Sequence, residues 1–302
     1  MSRIHEAIKK LEQKTRELAA RTGSEDAVSL LESEVAQVLD ASLEAAHQTT
    51  VENPIVARKV SWTPDDDRLV VFHGDKTNPV AEQFRTLRSR LTQMQAETQL
   101  RTLLISSALP DEGKSFTAAN LAFSLSLRAN TSVVLIDADM RWPRLHRLLG
   151  APEEPGLSSL LAGEVTENDV FQSGPIEDLI FLPGGKRMTN AAELLANGKF
   201  PALLSRLSEQ FDWIIIDSPA LMPVSDGILL SNMCDASLLV VKAGKTQLDA
   251  ASWAVGELRR KRLLGVLLNC ATEGRSSSYY YGGYYYSDRG DKKKAKEHRR
   301  EK

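Results

Sequence analysis

The chain is short of several things, and each shortage excludes a class of protein. Its 302 residues contain two cysteines, Cys234 and Cys270, far apart and without metal-ligand or redox spacing. That excludes a disulfide framework or a zinc module and reads as two buried thiols in a reducing compartment. No apolar run approaches the length needed to span a bilayer. The opening Met1-Ser2-Arg3-Ile4-His5 leads into a charged helical pattern with no signal-peptide core. The expectation is a cytoplasmic protein that meets the inner membrane only peripherally, through a partner. An excess of one charge is also missing, with 38 Lys and Arg against 40 Asp and Glu. Bulk attraction to nucleic acid is therefore not expected. Tyrosine, finally, is absent from everything before residue 279.

What is present is a globular composition. Hydrophobic residues make up 42% and charged residues 26%, enough for a substantial core in one large or two small domains. Residues 2–21 place Ile4, Ile8, Leu11 and Leu18 on one helical stripe. Such a helix either packs on the main domain or docks on a partner or membrane surface. A second, acidic helical stretch runs from Glu25 to about Ala46. Residues 47–67, with Pro54, Pro64 and Asp65-Asp66-Asp67, read as linker. Three regions follow: 1–67 as helical extension and linker, 68–275 as the main domain, and 276–302 as a flexible tail.

The main domain is organised around Ala108 to Ser115, Ala-Leu-Pro-Asp-Glu-Gly-Lys-Ser. A strand-like run, Leu103 to Ser107, precedes it and a helix-like run, Phe116 to Leu127, follows. Strand, turn ending Gly-Lys-Ser, helix is the context of a phosphate-binding P-loop. There, backbone N–H groups and the helix dipole attract anions. Lys114 would reach the phosphates and Ser115 would offer its hydroxyl to Mg²⁺. Ala108 stands where the first glycine usually falls, so the eight residues alone leave open a helix that merely begins with Gly-Lys-Ser.

The rest of the pattern narrows the choice. Strand-like runs at 102–107, 132–137, 179–182, 212–217, 236–242 and 263–268 alternate with helical ones at 115–128, near 143–149, 191–210, 225–233 and 247–261. Leu69 to Phe72 reads as a further short strand, and Val80 to Met94 as a helix carrying Glu82-x-x-Arg85-x-x-Arg88. Near-continuous apolar strands separated by helices predict an α/β fold with a mostly parallel sheet covered on both faces. Val133 to Ile136 ends at Asp137-Ala138-Asp139, and Trp213 to Ile216 ends at Asp217. A carboxylate closing a buried strand beside a P-loop is the arrangement that holds Mg²⁺. Three of them exceed what one metal needs, which suggests a base for an attacking hydroxyl.

All six tyrosines fall in the tail, as Tyr279, Tyr280, Tyr281, Tyr284, Tyr285 and Tyr286, among serines and Gly282-Gly283. Confinement to such a segment suggests a substrate; a stacking platform beside the basic residues 292–302 is the competing reading.

Taken together, these residues resemble the bacterial tyrosine autokinases of capsule and exopolysaccharide assembly. The likeness runs from about Leu69 to Tyr286. It rests on Glu112-Gly113-Lys114-Ser115, Asn120-Leu121-Ala122, Val134 to Arg141 with Pro143 and His146, Asn190-x-x-Glu193-Leu194-Leu195, Ile215 to Pro219, Pro223 to Asp226, the Glu82/Arg85/Arg88 triplet and the tyrosine cluster. The resemblance implies a MinD-like P-loop fold and ATP- and Mg²⁺-dependent phosphorylation of the tail tyrosines between subunits. It implies that Asp111, Glu112, Gly113, Lys114, Ser115, Phe116, Arg141 and Asn269 surround the nucleotide, with Asn269 either contacting adenine or capping its strand. Lys114, Asp137, Asp139 and Asp217 would act in transfer, and Ser115, Asp139 and Asp217 would serve the metal. Glu82, Arg85 and Arg88 would make a ring-forming contact between subunits. The implied partners are an inner-membrane activator that helps set polysaccharide chain length and a cognate tyrosine phosphatase. The opening residues resemble the subgroup accompanying exosortase-linked exopolysaccharide systems. Asp111 departs from the family's usual glycine. The alternative is a MinD/ParA-like ATPase switch, against which Leu109 stands where those proteins carry their characteristic lysine.

Overall fold

A computed structural model of the protein describes residues 54–65, 68–72 and 78–271. The amphipathic stretch at 2–21, the acidic stretch from Glu25 and all six tyrosines lie outside the described residues.

Eight strands form one sheet in the order β1-β4-β5-β3-β6-β2-β7-β8. They are β1 (Arg58–Lys59), β2 (Thr102–Ser107), β3 (Val133–Asp137), β4 (Gln172–Ser173), β5 (Leu179–Leu182), β6 (Trp213–Asp217), β7 (Ala236–Lys242) and β8 (Leu263–Asn269). The six strands from β5 to β8 pair in parallel. β4 runs antiparallel to β5 and carries β1 with it.

Alternation inside each strand explains the two helical layers. Leu103, Ile105, Val133, Leu135, Trp213 and Ile215 point to one face, and Leu104, Val134, Ile136, Ile214 and Ile216 to the other. Both sets are apolar and must be covered. The first face receives α1 (Pro79–Glu97), α2 (Lys114–Ser126) and α3 (Leu145–Leu149). The second receives α4 (Leu157–Ala162), α5 (Glu167–Val170), α6 (Ala191–Ala196), α7 (Lys199–Gln210) and α8 (Asp226–Met233). A smaller cluster packs α9 (Leu248–Arg259), through Ala250, Ala254 and Leu258, on Leu239 of β7.

The strand readings from 102 to 268 agree with the structure to within one residue at each end. Four other expectations are corrected. Leu69 to Phe72 is a pair of turns, because its N–H groups go to local carbonyls and to Asn120. Its apolar residues nevertheless plug the core: Leu69 and Val71 are buried. Second, residues 55–65 are no linker. β1 pairs with β4, and Trp62 packs edge-on to Phe123 and Phe181 at 6.5 and 6.2 Å. Third, the helix expected across 191–210 breaks at Asn197-Gly198, where Gly198 takes φ +84°. Fourth, only Cys234 is buried, and burial raises its thiol pKa; Cys270 is exposed. α4, α5, β1 and β4 have too few residues to show a periodicity.

Asn120 ties α2 to the turn at 68–72. It donates to the carbonyls of Arg68 and Phe116 and accepts from Val71 N–H. Fully buried, it leaves several groups unpaired when truncated. Asn120→Ala is expected to lose about 2–3 kcal/mol of stability, read as a lowered urea midpoint with unchanged slope; a midpoint within error of wild type refutes this.

Candidate active site

β2 lies mid-sheet, with β6 and β3 on one side and β7 and β8 on the other. A crevice outside the carboxyl ends of such strands is where ligands bind in open α/β sheets. The loop Ala108–Gly113 occupies it. Asp111 has φ +61° and Gly113 φ +98°, so the loop curls back on itself before α2 begins. The first bond of α2 runs from Thr117 N–H to Gly113 O at 2.9 Å. The N–H groups of Lys114, Ser115 and Phe116 are therefore at the unsatisfied end of the helix, suited to an anion.

The loop is braced from three sides. The buried Glu112 carboxylate accepts from Leu109 N–H at 2.9 Å and from the Thr246 hydroxyl. Asn269, at the end of β8, donates to Glu112 O at 2.9 Å and accepts from Cys270 N–H. A Cβ on Gly113 would fall 2.0 Å from the Asn269 amide nitrogen, so the glycine is required by close approach as well as by φ. Lys242 Nζ donates to Asp111 O at 3.2 Å. Glu112 thus offers a ligand its backbone alone. Asn269 acts here on the loop, and Phe116 turns its ring toward Phe84, 6.0 Å away.

The three carboxylates come together as expected. Asp137 and Asp217 are register partners at the ends of β3 and β6, and Asp139 lies 3.8 Å from Lys114 Nζ. All four side chains are buried. Their hydrogen bonding differs. Asp137 accepts from the N–H groups of Arg144 and Leu145, both at 2.9 Å, and of Asp139 at 3.2 Å. Asp139 accepts from Trp142 N–H at 3.0 Å and turns its other oxygen to Lys114. Neither oxygen of Asp217 completes a hydrogen bond, although the Lys114 ammonium and the Ser115 hydroxyl are close enough to favour its ionised form.

Desolvation dominates the electrostatics. Burial, and then the Asp217 charge, pushes the Asp137 pKa well above the usual carboxylate range. Burial likewise raises Asp139 against the opposing pull of Lys114, and raises Asp217. This is unbalanced negative charge with two orphaned oxygens, and a divalent cation at Ser115 and Asp217 would relieve it. The residues fit Mg²⁺. No group of three or more His, Cys, Asp or Glu suited to a metal occurs among the described residues, so such an ion would also draw on phosphate oxygens.

Arg141 lines the small cavity beside Lys114 and Asp139. Its guanidinium is spent on Asp226, at 2.6 and 3.1 Å, and on Thr189 O. Arg144 is the arginine that faces the loop, pairing with Asp111 at 2.7 Å; that bond holds the Asp111 carboxyl below its usual range. The sequence reading passed over Arg144, Lys242 and Thr246, though Arg144 directly follows Pro143 in the quoted motif. On α1, Arg85 pairs with Glu82, while Arg88 donates to Ser124 O at 2.6 Å. Two of the triplet are thus surface charges and the third clamps α1 to α2.

No family model matches the chain. Tyrosine-protein kinase YwqD of Bacillus subtilis is 34% identical over 204 residues, covering 67% of this chain and 86% of its own length. The succinoglycan biosynthesis transport protein ExoP of Rhizobium meliloti is 34% identical over 228 residues, 74% of this chain and 28% of its own. Among solved structures, the kinase domain of Escherichia coli tyrosine kinase ETK superposes with a TM-score of 0.64 at 29% identity, covering 68% of this chain and 81% of that one.

The carboxylate burial makes a prediction independent of any ligand. A raised native pKa means the folded state holds its proton more tightly than the unfolded chain. In the metal-free protein the contribution of these carboxylates to stability should therefore be fully present below the ordinary aspartate value of 3.8 and be lost as pH rises through the raised native values. Asp217→Asn should make that loss shallower, by on the order of 2–4 kcal/mol across the range. Urea unfolding across a pH series measures it, and identical slopes for the two proteins sink the account.

Proposed function

The chain belongs to the bacterial tyrosine-protein kinases, and we propose that within that family it transfers the γ-phosphoryl of ATP to tyrosines of its own tail, between subunits. The observation that carries this reading is the set of three buried carboxylates at the ends of β3 and β6, of which Asp139 lies 3.8 Å from Lys114 Nζ and Asp217 feels the Lys114 charge. A nucleotide switch needs one such group for its metal; the surplus suits a reaction that must also accept a proton. The confinement of all six tyrosines to residues 279–286 supports the tail as acceptor.

The carboxylates divide their work by hydrogen bonding. Asp217, with both oxygens unpartnered, and the Ser115 hydroxyl would hold Mg²⁺, which when bound neutralises phosphate charge. Asp139 has one oxygen free of backbone donors and a raised pKa, and it takes the phenolic proton. Asp137, fixed by three N–H groups, holds the turn at 137–145 in place. Lys114 and the free N–H groups of α2 receive the phosphates. In the step itself the phenolic oxygen bonds to the γ-phosphorus, the bond from that phosphorus to the bridging oxygen breaks, ADP leaves, and the proton passes to Asp139.

Assembly follows from the same reading. Glu82 and Arg85 on the exposed face of α1 supply a ring contact, with Arg88 fixing that helix on α2. A membrane-embedded co-polymerase activator and a cognate tyrosine phosphatase complete the system, in capsule or exopolysaccharide production. No helix among the described residues is long and apolar enough to cross a membrane.

Intact mass after incubation with ATP and Mg²⁺ tests the proposal. Gains in steps of one phosphate are expected, absent when all six tyrosines are phenylalanine. Continued ATP turnover in that variant, with no phosphoprotein from wild type even beside activator segments, would establish a switch instead. Asp139→Asn should slow phosphorylation by roughly 10²–10⁴-fold while leaving nucleotide affinity within about twofold; an unchanged rate removes Asp139 from the role of base.

A further inference from the structure

Arg141, Arg144 and Arg147 follow β3; Arg144 and Arg147, with Arg68, line the cavity over the loop, and of the three only Arg144 pairs with the loop itself. Arg141 is held in a bidentate pair by a buried carboxylate, Asp226. Arg144 is anchored through its backbone N–H to Asp137, but its side chain is 56% exposed and meets an Asp111 side chain that is 70% exposed. An ion pair that open to water is weak and is readily exchanged for a better anion. A phosphate, with more charge and matching oxygen geometry, is that better anion for a guanidinium.

The position of the pair is specific. One cavity of about 550 Å³ opens over Gly113, Ser115, Phe116 and Lys242. A smaller one of about 100 Å³ lies beside Asp139, Trp142 and Pro223. Asp111, Lys114 and Arg144 line both. The pair therefore stands where the nucleotide cradle meets the space beside the proposed base, the place a group in transfer must cross.

We infer that the Asp111–Arg144 pair is a latch over the phosphate cradle: Asp111 holds Arg144 until a terminal phosphate displaces it, and Arg144 then binds that phosphate. This rests on the kinase reading above. Asp111 keeps an otherwise unpaired cation from other anions and is itself an obstacle that only the triphosphate's added charge overcomes. The site thereby distinguishes tri- from diphosphate through Arg144, with Lys114 common to both.

Titration calorimetry on the full chain, with Mg²⁺, ADP and the imido analogue of ATP, tests the latch. Arg144→Gln keeps the backbone N–H that caps Asp137, so the fold stays supported. It should weaken the ATP analogue by on the order of tenfold and ADP by less than about twofold. Asp111→Asn should tighten the analogue several-fold and leave ADP nearly unchanged. Equal changes for both ligands in Arg144→Gln, or none for either, overturn the latch while the kinase reading stands. A wild-type chain that binds neither ligand overturns both.

Discussion

Burial of like charges at the ends of two neighbouring strands is the constraint on which the rest of this structure depends. Asp137 and Asp217 are register partners on β3 and β6, and parallel pairing fixes them side by side. In a low-dielectric interior two carboxylates so placed resist ionising together. The surroundings compensate unevenly. Asp137 receives three backbone N–H groups, Asp139 faces Lys114, and Asp217 is left with both oxygens open. In the ligand-free protein protonation relieves that imbalance, and a bound cation would relieve it in the same way.

The loop opposite those carboxylates is held by strands that follow it far along the chain. Asn269 of β8 grips Glu112 O, and Lys242 at the end of β7 and Thr246 in the turn after it reach Asp111 and Glu112. Residues 130 or more positions away thus fix the curvature of eight consecutive residues. Loop geometry and sheet assembly are tied together through side chains from β8 and from the end of β7. Arg144 adds a tie from the β3 side, an exposed ion pair weak enough to yield to a ligand.

α1 shows the same economy of position. Arg88 spends its guanidinium on the C-terminal end of α2, where a cation also meets the helix dipole favourably. Glu82 and Arg85 remain at the surface. A triplet spaced at three residues therefore serves two purposes, one internal and one open to a neighbouring subunit on the proposed reading.

The sequence by itself determined the parallel core, because β2, β3 and β6 are apolar on both faces and can only be interior strands of a covered sheet. It also placed the Gly-Lys-Ser turn after β2 and the three carboxylates at strand ends, because both are local patterns legible in spacing. Short β1 and β4, the turns at Leu69 to Phe72 and the break at Gly198 escaped it, since two to four residues carry no period and a tertiary partner overrides local preference. Which arginine faces the loop was decided by folding alone. Arg141 and Arg144 are three residues apart and alike in sequence. Only the tertiary structure brings buried Asp226 to the first and exposed Asp111 to the second. Contacts spanning 85 and 33 residues set those environments, and no local pattern can encode them.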